Sequence, residues 1–462
     1  MSQPYFAEIA DQWDTLRASM FSDDLRTIAM DRAGLHPESV VLDLGGGTGF
    51  LSEGLAPRVA LVHLVDSSPE MQAVARQKLA GFPNIQYHLT DGPTIPLPDE
   101  SVDAVLANMY LHHIVEPGLA LAEIARLLRP GGRVVITDLN EHTHTWLREE
   151  QADVWLGFAP QQVRDWMAQA GLVNLLVEDT AQSCSSASQT QEAQASVSIF
   201  VAVGSKPIKN MQKAVADHYR QIATSGSSCC GPAEPSQTLP ASEGAIPLDV
   251  IQPAAANCCG PDITPSTDAE ISLGCGNPVA LASLQPGEVV LDIGSGAGAD
   301  LFPAAQRVGP SGKVIGVDML EEMLARARMT AQQRGYTNVE FRQGDASHLP
   351  VEDGSIDVVM SNCVINLVQD KGQVFQEAYR VLRPGGRLAI SDVVTDRPFS
   401  PAMRNDPEAW SACVTGALPE SEYLALITQA GFTQPSVKRS QSWPAPDGTQ
   451  VYSLNVSAEK KQ

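Results

Sequence analysis

Val-Val-Leu-Asp-Leu-Gly-Gly-Gly-Thr-Gly, residues 40–49, is a buried strand running straight into a glycine-rich turn. It returns as Val-Val-Leu-Asp-Ile-Gly-Ser-Gly-Ala-Gly, residues 289–298. A run apolar on both faces belongs inside a parallel sheet. The glycines let the backbone come close to a ligand where a side chain would clash.

Working outward, the copies continue in the same order. His-Leu-Val-Asp-Ser (63–67) matches Ile-Gly-Val-Asp-Met (315–319), and Leu-Leu-Arg-Pro-Gly-Gly-Arg-Val-Val-Ile-Thr-Asp (127–138) matches Val-Leu-Arg-Pro-Gly-Gly-Arg-Leu-Ala-Ile-Ser-Asp (381–392). A series repeated in order over a hundred residues marks two related domains, and two copies are too few for a solenoid. Strands are expected at 40–44, 62–66, 85–89, 102–107 and 133–138, then at 289–293, 314–318, 339–343, 356–361 and 387–392. Amphipathic stretches fill the gaps, such as 117–128 and 373–382. This alternation predicts an α/β fold, each half a mostly parallel twisted sheet with helices on both faces. Each Pro-Gly-Gly is expected to stop a helix and turn the chain.

The expected division is a domain over 1–205, a helix plus a Cys/Pro/Ser-rich segment over 206–270, and a second domain over 271–462. Residues 210–223 read as a short amphipathic helix. Residues 224–270 are too poor in periodic apolar positions to build a core. The Ser/Gln-rich stretch 181–196 reads as a loop or hairpin excursion, with Cys184 inert in it.

Composition bounds the function. Lys+Arg 31 against Asp+Glu 54 gives a net charge of −23, which excludes the basic footprint of a nucleic-acid surface. No run of 18 apolar residues predicts a membrane span. The N-terminal stretch has neither a basic region nor an apolar run, so no signal peptide is expected and the chain reads as cytoplasmic. Eight cysteines in such a chain read as reduced thiols, hence ligands or redox groups.

The cofactor follows from the acids around each loop. Asp43 and Asp292 sit inside the strand, before Gly45, Gly47, Gly49 and Gly294, Ser295, Gly296, Gly298. Asp66 and Asp318 (with Met319) end the next strand, where ribose hydroxyls would lie. Asp91 and Asp345 end the third, near an adenine amino group, and Asn362 ends the fourth. The ordered set resembles the class I S-adenosylmethionine-dependent methyltransferases over most of both halves, and implies that cofactor.

The second half also resembles the arsenite methyltransferase family, over roughly residues 210–420. The matching stretches are Val-Ala-Asp-His-Tyr (215–219), Ser-Ser-Cys-Cys-Gly (227–231), Leu-Gly-Cys-Gly-Asn-Pro (273–278), Ser-Asn-Cys-Val-Ile-Asn-Leu (361–367) and Trp-Ser-Ala-Cys-Val-Thr-Gly-Ala-Leu (410–418). That resemblance implies that Cys363 and Cys413 hold trivalent arsenic. Cys275 would serve as a further thiolate ligand, and Cys229 or Cys230 as a redox partner. Thiolates are soft ligands and select such a thiophilic centre. The lone pair on arsenic can attack a sulfonium methyl without a general base. Returning the oxidised arsenic to its trivalent state takes two electrons, which a cysteine pair supplies by forming a disulfide. An external thiol, thioredoxin or glutathione, would reset that pair by exchange. The implied role is arsenic detoxification. Zinc is disfavoured, because no pair of cysteines or histidines has the two to four intervening residues typical of a structural site. Cys258-Cys259 has no assigned role.

The first half resembles methyltransferase domains fused to metalloregulators in some bacteria, through Tyr5-Phe6…Trp13-Asp14 and Trp146-Leu-Arg-Glu-Glu…Trp155-Leu-Gly-Phe. Met109 stands where Cys363 stands, and Phe158 is expected where Cys413 stands, so no arsenic methylation is expected there. His112, His113, His142 and His144 read as solvated or core histidines. The leading aromatics and Tyr219 read as lids over the nucleoside or as docking helices. Two other classes remain open for the whole chain: a methyltransferase of a small metabolite, and a non-catalytic protein that binds arsenicals or the cofactor.

Overall fold

The computed structural model describes residues 4–90, 94–188, 190, 192–225 and 276–461. The expectations placed on Asp91, Cys229, Cys230, Cys258, Cys259 and Cys275 lie outside the described residues. The chain divides into two compact units, Met1–Ile208 and Lys209–Gln462.

In the first unit seven strands form one sheet: β1 Val40–Leu44, β2 Leu61–Asp66, β3 Ile85–Leu89, β4 Val102–Asn108, β5 Leu128–Leu139, β6 Val173–Ala187 and β7 Gln194–Ser205. Their order is β3-β2-β1-β4-β5-β7-β6. β1 pairs in parallel with both β2 and β4, so strand order reverses there and leaves a crevice at the carboxyl ends. β7 pairs antiparallel with β5 and β6.

The second unit repeats this plan. Its strands are β8 Val289–Ile293, β9 Lys313–Asp318, β10 Val339–Gln343, β11 Ile356–Asn362, β12 Leu382–Thr395, β13 Ser436–Pro444 and β14 Gln450–Glu459. Their order is β10-β9-β8-β11-β12-β14-β13. β1 and β8 are buried over their last four residues, as strands covered by helices on both faces must be.

One feature differs from the sequence expectation. Each Pro-Gly-Gly lies within the strand, not before it: β5 begins at Leu128 and β12 at Leu382. The extra residues are absorbed as a bulge, with register slips at Val102/Ala104 and Ile356/Val358 and positive φ at Gly131 and Gly385. The stretch 181–196 is the outer part of the β6–β7 hairpin, so Cys184 sits on a strand paired with Val197. The helix expected at 210–223 spans Met211–Ser225.

Candidate active site

In the second unit the turn after β8 is held by its own backbone. Gly294 and Ser295 N–H both donate to the Val317 carbonyl, at 2.7 and 3.0 Å. Gly296 N–H donates to Asp318 Oδ2 at 2.9 Å, and Leu320 N–H to Asp318 Oδ1 at 2.9 Å. Gly294, Gly296 and Gly298 all have positive φ. A Cβ on Gly294 would collide with Val364, whereas one on Gly296 would meet nothing within 4 Å. The tip of the turn is therefore open, with room for a ligand to approach its backbone.

Buried acids surround that tip. Asp292 is raised well above the ordinary carboxylate value by burial, then by Asp300 and Asp318. Its Oδ2 and the Ser295 Oγ are buried without a hydrogen-bond partner among the described residues. Asn362 Nδ2 donates to Asp300 Oδ2 at 2.9 Å and to the Gly276 carbonyl at 3.0 Å. Asp345 accepts from Ser347 N–H at 2.8 Å and from Gln212 Nε2 at 2.5 Å. Orphaned acceptors, acids and an open glycine tip fit a cationic sulfonium nucleoside with amine and hydroxyl donors. Met319 packs with Leu320, Met323, Ile222 and Tyr219 beside it.

Beyond the β11 end, Cys363 and Cys413 share one buried cluster with Val393, Phe399, Met403 and Val414. Both have positive φ, 55° and 62°. Cys413 Sγ lies 3.0 Å from the Cys363 carbonyl oxygen and 3.4 Å from the Tyr219 hydroxyl. Cys363 is disulfide-bonded. Tyr219 thus stands against the cysteines. Behind them is a group that sequence reasoning missed. Lys371 is buried, donates to Val368 O at 2.8 Å, and is pushed down to about 8 by burial. Burial pushes Asp392 up to about 7, and Tyr423 donates to it at 3.1 Å. Asp392 ends the Pro-Gly-Gly stretch 381–392, and that was the signal the sequence offered.

The first unit has the same turn. Gly45 and Gly46 donate to Val65 O at 2.9 and 3.0 Å, and Gly47 to Asp66 Oδ2 at 2.8 Å. Gly49 also has positive φ. Burial pushes Asp43 up to about 6. The turn opens on a cavity of about 500 Å³. Arg17 lines it with its guanidinium 4.2 Å over the Phe50 ring. Arg17 Nη2 pairs with Asp23 at 2.9 Å, but Nε and Nη1 are buried without a partner among the described residues. Unpaired guanidinium donors fit the carboxylate of a methionyl tail.

The far end of the cavity holds Met109, His112, His113, Asp153 and Cys184. His112 is a buried histidine paired with Asp138, and it also lines the cavity. Burial pushes the Cys184 thiol up to about 12, with Asp153 and Asp138 adding to it. Cys184 therefore lies in the cavity wall, not in a loop.

Methyltransferase-domain family models match residues 42–136 and 284–434. The arsenite methyltransferase of Halobacterium salinarum is 44% identical over 253 residues, covering 54% of this chain and 64% of that protein. The chain carries two methyltransferase domains and is similar to arsenite methyltransferases. The arsenite methyltransferase of Aquipseudomonas alcaligenes is 45% identical over 175 residues, covering 36% of the chain and 50% of that protein. The chain thus spans 64% and 50% of the length of these two curated relatives. A solved arsenic(III) S-adenosylmethionine methyltransferase from Chlamydomonas reinhardtii is 37% identical, covers 41% of this chain and 68% of that chain, and gives a TM-score of 0.38. Both domains have the class I methyltransferase fold.

The two copies correct one expected correspondence. Glu141 N–H donates to Phe158 O in the first unit, and Thr395 N–H to Leu418 O in the second. Phe158 is therefore the counterpart of Leu418. Counting back five residues from each sets Asp153 against Cys413. Counting forward from the preceding helices, Leu147–Glu150 and Pro407–Ser411, sets Ala152 against Cys413 instead, both with positive φ, 61° and 62°, so the Cys413 place falls at Ala152–Asp153. Met109 remains the counterpart of Cys363, each following its strand with positive φ and donating to the neighbouring strand at 2.8 Å.

Proposed function

We propose that the second unit methylates trivalent arsenic, with Cys363 and Cys413 as its thiolate ligands and S-adenosylmethionine as donor. The observation that carries this reading is the meeting of two cysteines, fifty residues apart, in one buried apolar cluster beyond the glycine turn. When bound, S-adenosylmethionine supplies an electrophilic methyl group on a sulfonium sulfur. Asp292, Gly296, Asp318 and Asp345 would hold its polar parts.

The chain's own residues do the rest. The two thiolates fix arsenic and leave its lone pair exposed, so no proton must be removed. Tyr219 and the apolar wall exclude water and hold the acceptor in line. Loss of the lone pair oxidises arsenic formally, and a cysteine pair returns two electrons by forming a disulfide. The disulfide at Cys363 supports a redox part for this cysteine. Cys275 as a third ligand, Cys229 or Cys230 as resolving thiol, and thioredoxin or glutathione as reductant complete the cycle. The thiols it needs suit a reducing, cytoplasmic setting and a role in arsenic detoxification.

Turnover tests the reading. The full chain is incubated with arsenite, S-adenosylmethionine and a thiol reductant, and arsenic species are separated with element-specific detection. Methylated arsenic that disappears in Cys363→Ser and in Cys413→Ser is the expected result. Methylation that persists in both variants overturns it.

A further inference from the structure

We propose that the first unit is a second methyl-transfer site, for a small amine, in which His112 takes the proton that the nitrogen sheds. The proposal rests on the first unit's glycine turn taking the same cofactor, and is independent of arsenic chemistry in the second.

His112 lies on the short turn Leu111–His113 directly after β4. Its Nδ1 is 2.7 Å from Asp138 Oδ1. Asp138 also accepts from Leu111 N–H at 2.8 Å and from Leu139 N–H at 2.7 Å. Burial disfavours its charge, but His112 and these donors hold its pKa below the ordinary value. An ionised Asp138 fixes the Nδ1–H tautomer and orients the ring. Nε2 is then the basic atom. It faces Asp153 Oδ1 at 3.7 Å, and both residues line the cavity.

The other groups around His112 favour this role. His113 packs on it with ring centroids 3.9 Å apart, is pushed down to about 3 by burial and then by His112, and so stays neutral. Its Nδ1 donates to Ala152 O at 3.2 Å. Burial lowers His112 itself, but the Asp138 charge and hydrogen bond, then Asp153, leave it raised. His142, Tyr5 and Cys184 complete the titratable set that acts on His112, Asp138 or Asp153. Arg148 acts on Asp153 from outside the lining.

The field selects the acceptor. Among the described lining residues Arg17 alone is a Lys or Arg, while Asp43, Asp66, Glu116, Glu123 and Asp153 are acidic. An anionic acceptor would be repelled at the His112 end, whereas an amine arriving as its ammonium is attracted. Phe6, Ile114, Leu139 and Val197 give apolar wall for an alkyl or aryl body.

The comparison between copies gives the reason. His112 and Asn366 are each the middle residue of the turn after the fourth strand, and Ala152–Asp153 take the place of Cys413. The second unit has soft ligands and no histidine there, which suits an acceptor with a free lone pair. The first has a carboxylate and a histidine backed by a carboxylate, which suits a nitrogen that must lose a proton. His112 Nε2 first takes a proton from the ammonium and frees its lone pair, which attacks the methyl carbon; the carbon–nitrogen bond forms as the carbon–sulfur bond breaks with its electron pair left on sulfur. The product leaves as the methylammonium, and the imidazolium, paired with Asp138, returns its one proton to solvent.

The test uses the full chain, phenethylamine, benzylamine and tyramine as probes, and methyl-labelled S-adenosylmethionine. His112→Asn keeps a donor for Asp138 and removes Nε2. Label on an amine, reduced at least about a hundredfold in that variant, supports the proposal, provided S-adenosylhomocysteine still binds at two sites and arsenite methylation is unchanged. Asp153→Asn should raise the amine KM more than it lowers kcat. Nitrogen-15 histidine spectra supply a readout besides turnover: an Nδ1–H tautomer at His112, lost in Asp138→Asn, and a shift of Nε2 on adding phenethylamine with S-adenosylhomocysteine. No label on any amine, label that survives in His112→Asn, or an Nε2–H tautomer overturns it.

Discussion

The Cys413 thiol donates to the carbonyl oxygen of Cys363 across 3.0 Å. The bond ties the segment after the helix Pro407–Ser411 to the end of β11, and it sets the Cys413 sulfur against the Cys363 backbone.

That bond separates structure from chemistry at Cys413. A serine hydroxyl keeps the donor to the carbonyl, so Cys413→Ser should cost no more than about 1 kcal/mol of stability. It replaces a soft ligand by a hard one, so arsenite affinity should fall at least about a hundredfold. Thermal melts and arsenite titration on the same preparation check both halves. A variant that loses stability and arsenite together would make Cys413 a packing residue.

The glycine turn predicts a contrast between two substitutions of the same kind. Gly294→Ala drives a Cβ into Val364, and should unfold the turn and lower the melting temperature of the second unit. Gly296→Ala meets open space but keeps a positive φ, a cost of about 1–2 kcal/mol. It should leave the fold intact and cut S-adenosylhomocysteine affinity at one of two sites by at least tenfold. Calorimetric titration beside a melt distinguishes them; unchanged affinity in Gly296→Ala would rule out a ligand at the tip.

Asp43 predicts a pH dependence. Its folded value of about 6 stands above the ordinary carboxylate value because of burial, only partly offset by Ser52. The folded state therefore holds a proton that the unfolded chain releases near pH 4. Its contribution is fully present below about pH 4 and is lost as pH rises to about 6, up to about 3 kcal/mol. Asp43→Asn should become more stable relative to the unaltered chain over that window. Exchange protection of the peptide spanning β1, corrected for intrinsic rates, measures the difference; parallel curves for the two chains would reject it.

The sequence revealed the inner strands well because they are apolar on both faces and end in glycine or acid. β1, β3, β8 and β10 lie at the expected residues. β13 and β14 carry no such signature: β13 is exposed along most of its length, and a hairpin at a sheet edge has weak periodicity. The His112–Asp138 pair was hidden for a different reason. Its partners are 26 residues apart, on a turn and a strand end, and only the parallel pairing of β4 with β5 brings them together. The Phe158 correspondence failed because a tryptophan serves one purpose from two registers. Trp155 Nε1 donates to Ile114 O at 2.8 Å and Trp410 Nε1 to Leu367 O at 3.1 Å. Matching the tryptophans therefore misaligns the residues on their C-terminal side.

The corrected correspondence is itself testable by transplanting thiols. If Asp153 occupies the Cys413 place, Met109→Cys with Asp153→Cys should put two thiols together in the first unit. The chain for this test has its eight native cysteines replaced by serine, so that any arsenite bound reports the new pair. Met109 already has the positive φ of Cys363, 51° against 55°, so the first replacement needs no change of backbone. The second removes a carboxylate that burial has pushed up to about 6, which should relieve strain as well as add a ligand. One arsenite per chain is expected in this double variant. Met109→Cys with Phe158→Cys should bind none, because Phe158 lies in the core against Trp155 and Trp166. Equal binding by the two would restore the tryptophan-based alignment and remove the structural argument that the copies diverged by exchanging a soft acceptor site for an acid–base one.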